Sequence, residues 1–548
     1  MSQLDEASTR RIGTDLERLR MTIGAIFERV ELDSPVPTYL LVFADQGEFS
    51  PYSLAGGSEP GYFVPHIHAN FAAVVGADAA DALPIVYRQY IHQLVNFNNP
   101  EMPAWMRHGL AELFSTFQAT AHEAHVGLRG STDLGVAAGA PLPLADLLRD
   151  YRSPGAAPDA RAIQRSWELV HYLLAGDSKR FQATVGWVRR LREDPDSRES
   201  LVDVLGTDLP SLEAALDAYV GQGELPSLRI PLTDVSGRFD YQAVTPSAAL
   251  FRLGDLLIHT AEDASRRADA KEHFERSLEL QPGFAPALAG LGLVQQDSGD
   301  LAAAESYFEQ ALAQVDDSFR LQFVYGDCEL DLLGRRRPTS DEEGERLDKA
   351  IRAFSRTTAL NPAFGEGWVR LGYSYNLQAR PSPQAVPALE KGYEMLPGRA
   401  DVAYNLMLGY ARSGEREKAW RLLDTMAVRG AEADALARAR QLALQIDLQS
   451  AGPLARQKRY DDAVGLLARV AAESTVPQIR QQAADAVKSL AAAANPNRFA
   501  QRYAEAYAAF TAGDRATATA TLESLAADAA DGVQSDLVAA LRNRVGGS

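Results

Sequence analysis

A chain of 548 residues with a single cysteine, Cys328, can build neither an internal disulfide framework nor a cysteine zinc cluster. It also lacks any apolar run long enough to span a bilayer. Positive charge is not in excess: 55 basic against 73 acidic side chains leave a net charge of −18, which argues against nucleic acid or an anionic membrane as a general partner. A phosphate-cradling glycine loop and a nucleophile elbow are missing as well. The opening stretch, Met1–Gly24, has no basic region followed by an apolar one and no small-residue cleavage site, so the chain as given reads as cytoplasmic. What remains is the composition of a soluble globular protein, 46% hydrophobic and 23% charged. Its length suits about three or four ordinary domains, or one domain and a repeat array.

The most informative stretch is Pro84–Phe117, which the apolar spacing predicts as two helices. Pro84 suits a first turn, and Tyr87, Tyr90, Ile91 and Leu94 form one stripe before Asn98, Asn99 and Pro100 end it. The second helix opens at Pro103 and buries Trp105, Met106, Leu110, Leu113, Phe114 and Phe117, with His108 and Glu112 sharing a face.

This pair resembles the zinc site of gluzincin-type metallopeptidases, thermolysin- and aminopeptidase-like, in which one helix carries H-E-x-x-H and the next W-x-x-E-G-x-A-E. Laid on those motifs, RQYIH puts Arg88 at the first zinc histidine and Gln89 at the general base, and keeps only His92. WMRHGLAE puts His108 at the glutamate ligand. A guanidinium has no lone pair for a metal, and a glutamine cannot take a proton from bound water. The resemblance therefore implies a scaffold kept and a chemistry lost, with no cofactor expected. Glu112 stands where the family has a carboxylate behind the first histidine, so Arg88 is expected either to pair with it across the helices or, with it, to be solvated. The alternative is a rearranged metal-dependent hydrolase, with zinc on His92, His108 and Glu112.

Upstream, a helix over Ser8–Val30 carries Ile12, Leu16, Leu19, Ile23 and Phe27, and strands are expected at Thr38–Phe43, Tyr62–Val64 and Phe71–Val75. A strand pair before the motif helix is also the gluzincin order. Downstream come a strand in HEAHVGLRG, the segment PLPLADLLRDY, and a helix bearing Trp167, Val170, His171 and Leu174. The family has a comparable serine-tryptophan helix, often preceded by a tyrosine, where this chain has Ala162, Ile163 and Gln164. Members that join such a domain to helical repeats are often exported. A chain truncated at its front would accordingly be exported or periplasmic.

The proline-containing, aperiodic stretch after Glu224 marks a boundary. We expect a first domain over residues 1–228, a linker over 229–244 and a repeat array over 245–548. Ala285–Asp316 resembles the tetratricopeptide repeat: Leu288, Leu291 and Gly292, then Gly299 at the turn, then Ala304, Phe308 and Ala311. Earlier, Ala270, Phe274, Ser277 and Pro282 close a unit. Gly326–Pro362 is stretched by a charged insertion, Trp368 to Pro397 gives another unit and Tyr404–Met426 a further one with Gly414 and Ala419 in place, and weaker ones are Tyr460–Val470 and Tyr503–Leu525. The fold class is thus multidomain: an α+β, degenerate gluzincin-like domain followed by an all-α tetratricopeptide superhelix.

Such a solenoid implies a protein or peptide partner, with Ala289, Leu293, Val369, Tyr373 and Asn376 toward the groove. The reading is a non-catalytic binding or scaffold protein. Among other candidates, His122, Glu123 and His125 have the wrong spacing for a zincin motif. His66 and His68 read as an ordinary polar turn, while His171 and Cys328 read as core residues.

Overall fold

The computed structural model describes residues 1–27, 32–54, 59–98, 102–128, 141–150, 160–193, 200–233, 241–260, 264–396, 399–428, 431–529 and 532–546. The expected helix end at Val30, the stop at Asn99 and Pro100, Arg129, Gly130 and Tyr151 of the downstream segments, residues 234–240 of the linker, and Pro397 lie outside them. Among the described residues the chain is mostly helical, with two three-stranded sheets, and it divides into two compact units, Met1–Val402 and Ala403–Ser548. Among the described residues no helix is long and apolar enough to cross a membrane.

The first unit opens with α1 (Glu6–Ile26), where Asp5 caps the Ser8 amide and Ile12, Leu19, Ile23 and Ile26 are buried. Then come β1 (Thr38–Phe43), the short α2 (Gln46–Phe49), β2 (Gly61–Pro65) and β3 (Asn70–Val75). β3 is central, parallel to β1 and antiparallel to β2. All six of its residues are buried, and alternation explains how. Ala72 and Val74 face the core shared with α1 and α3 (Ala79–Asn98), whereas Phe71, Ala73 and Val75 join Leu41, Phe43 and Tyr62 against Leu256 of α10 (Pro246–His259). The sheet is thus covered on its second face by the first repeat helix.

α3 starts five residues before Pro84, so the proline sits inside the helix. Asp78 O receives the Asp81 and Ala82 amides and nucleates the added turn, whose Ala82 and Leu83 are buried. The loss of one ladder bond at Pro84 is outweighed by that packing. After α4 (Ala104–Ser115), β4 (Gln118–Ala119) and β5 (Glu123–Val126) come α5 (Leu144–Asp150), α6 (Ala160–Leu174), α7 (Ser178–Glu193), α8 (Leu201–Leu205) and α9 (Leu209–Val220). β6 (Leu228–Pro231) then pairs with β5, so the expected linker begins inside a strand of the second sheet.

Helices then follow as hairpins: α10 with α11 (Ala264–Leu280), α12 (Ala285–Asp297) with α13 (Leu301–Leu312), α14 (Phe319–Leu332) with α15 (Asp341–Leu360), and α16 (Gly365–Leu377) with α17 (Ala385–Met395). One contact recurs in each. A Cβ on Gly254 would stand 2.7 Å from the Phe274 ring, on Gly292 2.5 Å from Phe308, on Gly326 2.8 Å from Phe354, and on Gly372 2.5 Å from the Leu389 side chain. A glycine on the first helix receives a large apolar knob from the second, which sets a close interhelical approach. Gly299 joins α12 to α13 at φ +83°, a conformation that favours glycine. The charged insertion forms both a loop and the lengthened, serine-capped start of α15.

After α18 (Ala400–Ser413), which crosses the division, the second unit continues with α19 (Arg416–Val428), α20 (Ala433–Arg456), α21 (Tyr460–Glu473), α22 (Pro477–Thr511), α23 (Arg515–Asp528) and α24 (Gly532–Gly546). Successive helices pack on one another, with Ala419, Ala463 and Ala518 fully buried at the contacts.

Candidate functional site

The motif helices α3 and α4 lie side by side, and α4 is pressed against α6. A Cβ on Gly109 would come within 2.4 Å of Ser166 O and 2.5 Å of Val170 Cγ2, so the glycine of WMRHGLAE permits that approach. It also places Glu112, 8% exposed, at the α3 contact. There Arg88 Nε lies 2.6 Å from Glu112 Oε1 and Nη2 donates to Oε2 at 3.1 Å. The cross-helix pair is therefore formed, held by one hydrogen bond from Nη2 and a close charge contact at Nε, which itself makes no hydrogen bond among the described residues. Gln89 is half-buried on the same helix.

His92 and His108 meet edge to face, ring centres 5.0 Å apart. Burial, then His108, Arg107 and Arg88, pushes His92 down to about 4; burial and Arg107 lower His108. Both imidazoles are neutral near pH 7, as ligands must be. The rest of the donor set does not fit a zinc centre: the carboxylate is taken up by a guanidinium, leaving two nitrogens where a catalytic zinc needs three protein ligands. Among the described residues, His92, His108 and Glu112 do not offer donor atoms mutually within 4.8 Å, whereas His66, His68 and His259 do.

Other expected positions fall as follows. His171 is fully buried, its Nδ1 2.9 Å from the Tyr219 hydroxyl and its Nε2 2.9 Å from Gly127 O, a satisfied core histidine. His125 pairs with Glu123 along β5 at 3.1 Å. Cys328 is buried, and burial, with Glu329 and Glu305, pushes its thiol up to about 12. Of the groove candidates, Ala289, Leu293 and Tyr373 are half-buried, and the Tyr373 hydroxyl donates to Arg335 O at 2.6 Å. Val369 and Asn376 are buried instead. Gly392 approaches Val369 so closely that a Cβ there would stand 2.6 Å from Val369 Cγ2, which turns Val369 toward α17 rather than outward.

Sequence reasoning missed that the repeats already hold part of their own chain. Val36 is buried in one apolar cluster with Leu288, Phe308 and Phe364, and Asn361 Nδ2 donates to Pro35 O at 2.6 Å. The turn read as merely polar is also enclosed: His68 is buried beside Phe323 and His259. Two prolines around Val36 and two histidines two residues apart were the visible signals, but nothing local named partners as distant as Asn361, 326 residues after Pro35.

No protein-family model matches the chain, and no curated protein matches its sequence. Among solved structures it is similar to YrrB, described as a TPR protein with an unusual peptide-binding site, at 22% identity, covering 36% of this chain and 92% of that one with a TM-score of 0.30. It is similar to pilF of Pseudomonas aeruginosa at 19% identity, covering 43% and 96%, with a TM-score of 0.29. Yeast Tom70 matches at 13% identity over 58% and 64%, with a TM-score of 0.25. These scores carry no argument by themselves. From α10 to α17 the chain is a run of packed helical hairpins.

Proposed function

We propose that the protein is a non-catalytic binding or scaffold protein, in which an inactive peptidase-like helix pair is joined to tetratricopeptide-type repeats that dock a protein or peptide. The observation that carries the loss of catalysis is the Arg88–Glu112 pair, a cation of the protein's own standing where the resemblance implies a metal. Docking is supported by the repeated hairpins and by half-exposed aromatic side chains such as Tyr373 and the 38% exposed Tyr404. The net charge of −18 favours a protein over a nucleic acid partner.

The test has two arms. Arg88→His, Gln89→Glu and His108→Glu together restore the ligand set that the resemblance implies; near-stoichiometric zinc in this variant and none at that site in the parent supports a retired peptidase scaffold. A correctly folded triple variant that binds no zinc overturns it. For docking, proximity labelling in the source cell should yield partners that are lost on Tyr373→Ala with the fold intact; an unchanged partner set sinks the assignment to this surface. The second reading, a metal-dependent hydrolase, is supported by the close, neutral pair His92 and His108. Zinc that disappears in His92→Ala, together with peptidase activity, would establish it.

A further inference from the structure

We propose that His66, His68 and His259 form a binding site for a divalent transition-metal ion of the zinc class, which clamps the β2–β3 turn to the first repeat helix. The turn is closed by the His66 amide on Ala69 O at 3.0 Å and projects two imidazoles toward the C-terminus of α10, where His259 is the last residue. The three rings stand edge to face with centres 4.7, 4.5 and 5.0 Å apart. With metal–nitrogen bonds of about 2.1 Å, three imidazoles on a tetrahedral ion have ring centres roughly 5 Å apart. The tripod therefore already has that spacing. One nitrogen from each ring lies within 4.8 Å of the others, and small ring rotations bring them to the roughly 3.4 Å of a closed site.

Tautomers and outer partners support the same reading. His259 Nδ1 is 2.7 Å from Asp255 O and 3.3 Å from Asp255 Oδ1, so its proton is held there and Nε2 keeps its lone pair for a metal. His66 Nδ1 is buried with no hydrogen-bond partner among the described residues. His68 is the gated ligand. Its Nδ1 accepts from Arg320 Nε at 3.2 Å, so presenting Nε2 to a metal moves the ring proton to Nδ1 and requires Arg320 to release that bond. Arg320 retains Asp255, at 3.2 and 3.4 Å, and the Tyr39 hydroxyl at 3.4 Å. Arg252 also contacts Asp255, at 3.3 Å. Entry is from the turn, where Pro65 and Ile67 are exposed.

The test uses the full chain, stripped with a chelator and titrated with Co2+. Visible absorption of a four-coordinate Co2+ centre should saturate at one equivalent, disappear on addition of Zn2+, and be accompanied by a rise in Tm. His66→Ala, in the half-exposed turn, and His259→Ala should each weaken binding at least tenfold with an unchanged circular dichroism spectrum. His92→Ala should bind as the parent does, which separates this site from the α3–α4 pair. Absence of saturable binding, or binding that survives both His66→Ala and His259→Ala, overturns the proposal.

Discussion

Removing Arg88 without its partner is the sharpest test of the α3–α4 pair. Arg88→Met keeps the length and the apolar stem of the side chain but leaves the Glu112 carboxylate, its side chain 9% exposed, facing a thioether. Breaking a fully buried ion pair from one side costs about 3–5 kcal/mol. Here the arginine side is 24% exposed, so water already screens part of the interaction, and roughly 2–3 kcal/mol is expected. Glu112→Gln should cost less, about 1–2 kcal/mol, because the guanidinium it strands can turn toward solvent. The double variant Arg88→Met with Glu112→Gln removes both charges and should lie within about 1 kcal/mol of the parent, giving a coupling energy of roughly 3 kcal/mol against the two single variants. Urea unfolding can follow this through tryptophan fluorescence, since Trp105, on the same helix as Glu112, stacks on Trp187 with ring centres 6.3 Å apart. Additive single-variant effects, or an Arg88→Met cost near zero, would mean that the pair is only a solvated contact and that nothing has replaced the metal.

Stability should fall in mild acid. His66 at about 3 and His92 at about 4 bind protons less readily folded than unfolded, where histidine titrates near 6.5. The unfolded state therefore takes up protons first, so stability is flat above about pH 7 and declines as pH falls from about 6.5 toward 4. Urea midpoints that stay level across that window would refute the burial of these rings. Gly109→Ala should destabilise by roughly 2 kcal/mol or more, because its Cβ would meet the Ser166 carbonyl and α4 would have to move off α6; a neutral result in thermal unfolding would mean that the helices part freely. Cys328, pushed up to about 12, should resist a thiol-specific disulfide reagent at pH 8 in the native protein and react promptly in urea. Prompt native reaction would mean that α14 opens readily.

The parts of this chain that could be read from its sequence are those whose cause is local. The stripe from Ile12 to Phe27, the strand Thr38–Phe43 and the turn glycine Gly299 each carry their structural reason within a few residues. The repeat signature is local too, since Gly292 and Phe308 are sixteen positions apart and meet within one hairpin. Pro84 misled because a proline at a first turn and a proline inside a longer helix differ only in whether the residues before it are buried, and that depends on what packs there. The same limit explains the enclosed histidines. The unbroken apolar run Phe71–Val75 suits a strand buried on both faces, but does not show that the second face is covered by Leu256, and that contact carries His259 to His66 and His68. Burial of the turn is a consequence of the sheet lying on α10. The three imidazoles thus follow from how the sheet and the repeats are packed, not from any motif. A change that weakens the sheet's hold on α10, such as Leu256→Ala, should therefore lower the metal affinity of the site without touching a ligand, whereas it should leave the Arg88–Glu112 pair, on the other side of the sheet's core, as it was.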